Sequence, residues 1–310
     1  MIVVLAGGVG AARYLRGVLR VVSPDDVTII GNTGDDFRIY GVHVSPDLDI
    51  VTYTLTGRID EEKGWGLAGD TTVLLDEMRA AGLNAWFHLG DRDFGVCLAR
   101  TEMLAAGASL SDATARISER FGLAPRLLPM TDDEVGTRVV LANGEDVHFQ
   151  EYWVGRKAAD PVRSVYLGGA DTSRPAPGVV DAIASASAIL IAPSNPVVSI
   201  GTILAVPGIR EALTASSARV VGVSPIVGGA PVRGMADKLM PAAGAPVTAV
   251  GAALLLRDVL DGYVIDLVDE NLAGDVEALG LDVAVAQTMM RTVEDAAALA
   301  KVALTMTEHR

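Results

Sequence analysis

Short apolar runs that end in Gly, Ser, Asn or Asp recur along the chain, each followed by a helical pattern. No other feature constrains the fold as much. Residues 2–6, 27–30, 188–192, 219–223, 263–268 and 283–286 are such runs. A strand apolar at every position has to be covered on both faces, and its alternation with helices dictates a parallel sheet between two helical layers. Crossover helices are predicted over 11–22, 179–187, 209–215, 247–260 and 293–306. The last of these, VEDAAALAKVALTM, repeats apolar residues at three- and four-residue spacing. The expected fold class is α/β, with a doubly wound, mostly parallel sheet in a single domain over residues 1–310.

Between the second strand and about residue 165 the rhythm changes. TTVLLDEMRAAG and SLSDATARISERFG read as helices, the second with Ser111 as its N-cap. TRVVLANGEDVHFQEYWVG reads as a hairpin turning at Asn143-Gly144. Residues 55–165 are therefore expected to form a smaller α+β subdomain inserted into the main domain.

Charge narrows the partners. With 39 acidic residues against 25 Lys plus Arg, the formal charge is −14. Such a field repels nucleic acid and anionic lipid, so a bound polyanion must be small and held at a local basic spot. Cys97 is the only cysteine, which excludes an internal disulfide and a cysteine-built zinc site. No apolar stretch approaches the ~20 residues of a membrane span, and no basic segment precedes the first apolar run. A cytoplasmic protein is expected.

In open parallel sheets ligands collect at the carboxyl ends of the strands, so the loops there are compared as a set. Gly7-Gly8-Val9-Gly10 follows the first strand but is not the dinucleotide fingerprint. Aligning Gly8 and Gly10 with its first two glycines puts Arg13 where the third belongs. LAGGVGAAR comes closer to the Gly-Gly-x-Gly…Arg loop of sugar nucleotidyltransferases, and Gly8, Gly10 and Arg13 are the expected phosphate contacts.

The acidic loops carry more. Asp35-Asp36, Asp47 with Asp49, Asp91 with Asp93, and Asp132-Asp133 all sit beside Gly, Ser or Pro. Asp favours turns and helix starts, which explains any single pair. Four pairs in such loops point further, to Mg²⁺ held by one or two carboxylates and substrate phosphate oxygens. Adjacent carboxylates repel each other unless a cation lies between them.

The four histidines form no metal-ligand set. His88, just ahead of Gly90-Asp91, is expected to face the cleft, and His148 reads as structural. Ser194 lacks the flanking glycines of a nucleophile elbow. In PSNPVVSIG, Ser194 and Asn195 precede a helix start, an arrangement suited to a nucleotide base, ribose or phosphate. In SPIVGGAPVRGMADK, Gly228 and Gly229 free backbone donors while Arg233 and Lys238 add positive charge. That loop is either an anion clamp or a solvated surface turn.

Taken in order, LAGGVGAARYLRG, NTGDD, HVSPDLDIVTYTL, LGDRD, LPMTDD, HFQEYWVG, APSNPVVSIGTILAVPGIR and VSPIVGGAPVRGMADKLMPA resemble one family over most of residues 1–290. It is the 2-phospho-L-lactate transferase (LPPG:Fo transferase) family of coenzyme F-420 biosynthesis, with its bacterial phosphoenolpyruvate-transferring members. The resemblance implies a Rossmann-like sheet, a homodimer and a Mg²⁺-dependent reaction. In that reaction a phospho-three-carbon acid, 2-phospholactate or phosphoenolpyruvate, passes from a lactyl- or enolpyruvyl-diphospho-guanosine donor to the terminal ribityl hydroxyl of the deazaflavin Fo. GMP leaves, and F-420-0 or its dehydro form results. Carried over by motif, Asp49 and His88 would contact Fo, with Asp91 beside them. Asp35, Asp47 and Asp49 would hold the metal or accept the hydroxyl proton, and the PSNP and SPIVGG loops would line the nucleotide side. Two alternatives remain from the residues alone: a nucleotidyltransferase acting on a nucleoside triphosphate, and a nucleotide- or flavin-binding protein without turnover.

Overall fold

The computed structural model describes residues 1–308. Its strands begin with β1 (Ile2–Ala6), β2 (Val27–Gly31), a hairpin of β3 (Phe37–Ile39) and β4 (Val42–Val44), and β5 (Arg126–Pro129). Next come β6 (Gly136–Leu141), β7 (Asp146–His148), β8 (Val162–Gly168), β9 (Ala188–Ile191) and β10 (Val220–Val223). The short pair β11 (Ile226–Val227) and β12 (Ala230–Pro231) precedes β13 (Gly262–Asp266) and β14 (Asp282–Ala286). Seven of them make one sheet in the order β14-β13-β10-β9-β1-β2-β5, and every pairing in it is parallel.

Both faces of this sheet are apolar, as the continuous runs required. Val3 and Leu5 pack into one core with Ile189, Ile191 and Val220, while Val4 and Ala6 pack into the other with Ile29, Leu190 and Val221. Side chains alternate across a strand, so a run without polar breaks feeds two cores at once. Burying each such aliphatic side chain is worth about 1.5–3 kcal/mol. All six predicted strands are present.

The seventh strand, β5, was not expected, and it lies within the stretch read as an insertion. Its sequence RLLP is four residues long, begins with an exposed Arg126 and ends in proline. Such a strand survives only at an edge, where its outer side needs no partner, and it leaves no continuous apolar signal.

Helices α1 (Gly8–Val21), α2 (Pro46–Leu55), α3 (Val73–Ala80), α4 (Asp91–Ala105) and α5 (Leu110–Phe121) account for the first half of the chain. The N-cap of α5 is Ser109, not Ser111: Ser109 accepts from the Asp112 N–H in a capping box. Ser111 instead donates its N–H and hydroxyl to Asp132, 2.7 Å each. The hairpin β6–β7 turns through Asn143-Gly144 as its chemistry requires, and β8 joins it in a separate antiparallel sheet. After β7 the chain winds into a wide helical turn at Glu151–Gly155 rather than continuing as a strand. Val139, Leu141, Val147, Phe149 and Tyr152 from this layer pack on Val198, Met235 and Leu239.

Strand order reverses between β1 and β9: the chain moves from β1 outward to β2, then returns to build β9 on the other side. That switch point opens a crevice at the carboxyl ends of both strands, where the loops 7–10 and 193–196 stand side by side. Among the described residues, no helix is long and apolar enough to cross a membrane.

Candidate active site

The crevice leads into a cavity of about 560 Å³. On one side stands the N-terminus of α1, which carries no acidic residue in its first turn and no side-chain cap. The N–H groups and dipole at this end favour an anion, and the Gly8 N–H already serves the Asp47 carboxylate. Two glycines let the neighbouring loops close on it. A Cβ at Gly10 would lie 2.6 Å from the Pro193 carbonyl oxygen, and one at Gly7 would lie 2.8 Å from Asp47 Oδ2.

Asp47 sits in the first turn of α2, where a helix dipole favours a carboxylate. Asn32, wholly buried, holds it in place. Its amide donates to Asp47 Oδ2 at 2.9 Å and to the Val198 carbonyl at 3.3 Å, while its oxygen accepts from the Gly34 N–H and the Thr202 hydroxyl. Asp35 accepts from the Gln150 amide at 3.1 Å, and its other oxygen is buried without a partner. Burial, then the charges of Asp47 and Asp36, hold Asp35 well above the usual carboxylate range despite the Asn32 and Gln150 amides. Burial pushes Asp47 up to about 7, with Asp36 adding to it and Asn32 and the Gly8 N–H opposing. Asp36, behind them, is also raised by burial, although His43 and Ser45 hydrogen-bond its carboxylate. Two buried carboxylates that each resist ionisation, one with an unpartnered oxygen, fit a divalent cation.

A second acidic group lies in the same wall. Asp49 and Asp93 come together with Cys97, and here the chain supplies the positive charge itself. Arg100, 1% exposed, grips both oxygens of Asp49 with its two terminal nitrogens. Burial alone would lower the Arg100 pKa, but the Asp49 carboxylate more than reverses that. Asp93 accepts from the Tyr53 hydroxyl at 2.7 Å and is pushed up to about 7 by burial and the Asp49 charge. Asp49 therefore lines the cavity, but as the partner of a guanidinium. Both of its oxygens are engaged by Arg100, which sets it apart from Asp35 and Asp47 among the expected metal ligands.

Beyond the acids the cavity turns aromatic, with Trp65, Phe87, His88, Phe149 and Trp153 along it. Burial, then the Lys63 charge, lowers the His88 pKa and favours the neutral imidazole. Arg13 and Arg233 bring positive charge to the same space, and the buried Ser194 hydroxyl lines it without a protein partner.

Of the residues singled out in the sequence, Gly8, Gly10, Arg13, Asp35, Asp47, Asp49, His88, Asp93, Ser194, Asn195 and Arg233 line the cavity, while Asp36, Asp91, Asp132, Asp133, Gly228, Gly229 and Lys238 stand off it. Asp91 caps α3: it accepts from the Thr71 hydroxyl and the N–H groups of Val73 and Leu74. Asp93, two residues on and on the inward side of α4, lines the cavity in its stead. Gly228 gives its N–H to the Asp269 carboxylate, and with Gly229 it forms the β11–β12 turn, outside the cavity lining. Asn195 uses its oxygen to accept from the N–H groups of Val197 and Val198, shaping its loop. Asn32, Tyr53, Arg100 and Gln150 were not anticipated. For Arg100 a signal existed: 93, 97 and 100 are spaced four and three, one face of a helix.

A family model described as 2-phospho-L-lactate transferase CofD matches residues 2–298. The chain belongs to this family. A phosphoenolpyruvate transferase of Kitasatospora aureofaciens is 52% identical, over 99% of this chain and 98% of its own. That of Streptomyces coelicolor is 51% identical, with coverage of 99% and 98%. Among solved structures, a UPF0052-family protein of Bacillus halodurans superposes with a TM-score of 0.66 at 18% identity, covering 98% of each chain. That likeness speaks for the fold, the one derived above.

Proposed function

We propose that this member of the 2-phospho-L-lactate transferase family transfers a phosphoenolpyruvyl group from a guanosine-diphosphate-linked donor to the terminal ribityl hydroxyl of Fo. A new phosphodiester forms to the ribityl oxygen, the diphosphate bridge breaks, and GMP leaves with dehydro-F-420-0 as the product. One observation carries the reading: a single cavity joins an anion cradle and acidic wall to an aromatic end. Such a cavity suits a charged donor meeting a flat, uncharged acceptor. The relatives named for phosphoenolpyruvate favour the enolpyruvyl acid over lactyl.

In this reading the α1 N-terminus, Arg13 and Arg233 bind the diphosphate, and Ser194 receives a polar group of the nucleotide. Asp35 and Asp47 would hold a Mg²⁺ ion, which would neutralise charge on the diphosphate. Trp65 and Trp153 take the flat ring, and neutral His88 offers it a hydrogen bond. Asp93, poised near neutrality and oriented by Tyr53, accepts the hydroxyl proton. Catalysis then comes mainly from positioning and charge stabilisation, as in other phosphoryl transfers.

The test is mass spectrometry of Fo incubated with the protein, Mg²⁺ and guanosine-diphosphate-linked phosphoenolpyruvate, 2-phospholactate or 3-phosphoglycerate in turn. Dehydro-F-420-0 with stoichiometric GMP from the first donor is expected. Guanylylation of a free phosphoacid by GTP, with Fo untouched, would establish a nucleotidyltransferase instead.

A further inference from the structure

We infer that Arg233 is a positioning residue that couples the two ends of the cavity: an anion bound at the α1 cradle, by fixing this guanidinium, fixes the segment that carries Trp65. The inference rests on the reading of the cavity given above.

Residues 57–70 link α2 to α3 and fold back on themselves through a bridge between Ile59 and Leu67. Outside that bridge, Arg92 holds its far end through the Ala68 carbonyl at 3.2 Å, and two further arginines tie the part that carries Trp65. Arg16 of α1 pairs with Glu61 and donates through Nε to the Thr54 carbonyl at 3.2 Å. Arg233 donates through Nη2 to the Lys63 carbonyl at 2.8 Å. The backbone lies so close beneath it that a Cβ at Gly64 would be 2.7 Å from Arg233 Nη1. The next residue, Trp65, enters the cavity and meets His88 edge-on, ring centres 5.0 Å apart at 76°. Lys63 Nζ stands 5.7 Å from the Trp65 ring centre. One hydrogen bond thus connects a cavity-facing guanidinium to the backbone two residues before a cavity-facing indole.

That guanidinium is incompletely satisfied. A carbonyl uses one of its five N–H donors and offers no charge. Burial and the positive charge of Arg13 both disfavour the charged form of Arg233. The ion pairs among the described residues give neither Arg13 nor Arg233 a carboxylate partner. A diphosphate between them supplies the missing charge, and the planar fork can then hold phosphate and carbonyl together, which a lysine ammonium cannot. Because coupling between sites is reciprocal, the anion and the flat acceptor strengthen each other's binding.

The experiment measures Fo affinity by equilibrium dialysis, with and without saturating GDP and Mg²⁺. For the wild type, GDP is expected to tighten Fo about tenfold, within the ordinary range of such couplings. Arg233→Lys keeps the charge but not the planar fork; with GDP raised to saturate the variant, the effect of GDP on Fo is expected to vanish. Glu61→Gln loosens the other, exposed tie; GDP affinity stays unchanged and the coupling falls part-way. A wild-type Fo affinity indifferent to GDP would overturn the inference, as would full coupling in a folded Arg233→Lys variant. Failure of Fo to bind the wild type under either condition would strike at the proposed function itself, and the two failures are therefore distinguishable.

Discussion

Two pairs of carboxylates face the same cavity and are treated in opposite ways. Asp49 and Asp93 share their pocket with Arg100, whose guanidinium spans both oxygens of Asp49. Asp35 and Asp47 have amides and an N–H for neighbours, yet no cation of the chain's own among their hydrogen-bond partners. The first pair is internally compensated, so removing its cation harms the fold. The second has no such partner, so its acids work against the fold, and in the reading proposed above a bound cation would supply the missing charge. Sequence proximity conceals the difference, because Asp47 and Asp49 are two residues apart on one helix.

The sharpest way to break the comparison is Asp35→Asn. It removes half of a repelling, cation-dependent pair, so activity should fall by about 10³-fold, the scale of losing a preorganised charge interaction. The melting temperature should hold or rise, because a buried carboxylate above its usual pKa opposes folding. A variant that melts lower and keeps its turnover would reverse the assignment. Arg100→Met is the mirror experiment. Leaving the buried Asp49 carboxylate unpaired should cost about 3–5 kcal/mol of stability in urea denaturation. Asp49→Asn added to Arg100→Met should restore much of that loss, since it removes the stranded charge.

Six strands could be read from the sequence because their chemistry is local and unambiguous: apolar on both faces, closed by a glycine or polar turn. The strand β5 could not, since an edge position excuses its arginine and proline. In the cavity, the glycine cradle and the acids Asp35 and Asp47 were legible from residue type and loop position. Asp91 misled because a helix-start carboxylate caps the neighbouring helix as readily as it faces a ligand. Asn32 was illegible for a deeper reason, and spacing showed only which helix face Arg100 shares with Asp93, not what it pairs with. Their partners, Val198 and Asp49, lie 166 and 51 residues away, and no spacing rule reaches that far.

Protons and metal sharpen the contrast further. Asp35 and Asp47 have folded pKa values raised above the unfolded ones, so the unfolded state loses its protons first. The contribution of these two groups to metal-free stability is therefore greatest at low pH and declines as pH rises from about 4 through Asp47's raised value of about 7. A Mg²⁺ ion on these acids, as proposed above, would bind the ionised form and should offset that decline. At a hundred times its Kd the ion would contribute about 2.7 kcal/mol, with the gap between Mg²⁺ and chelator melts widening as pH rises. Asp93→Asn should leave that gap intact, because its carboxylate belongs to the compensated pair. A gap that closes in Asp93→Asn would place the metal on the wrong acids.

The smallest effect tests whether uncompensated groups mark ligand contacts beyond the acids. Ser194 has a buried hydroxyl with no protein partner, so the folded chain gains little from it. Ser194→Ala should leave the urea midpoint unchanged while raising KM for the guanosine-linked donor roughly five- to tenfold, the weight of one hydrogen bond of about 1 kcal/mol or slightly more. Thr202→Val supplies the contrast. Its hydroxyl donates to the Asn32 oxygen at 2.7 Å, so its loss should lower stability by about 1 kcal/mol through one lost hydrogen bond, the Gly34 N–H remaining on that oxygen, with donor KM affected far less. If the two substitutions behaved alike, a missing partner would carry no information about where the donor sits, and the reading of Asp35's unpartnered oxygen would weaken with it.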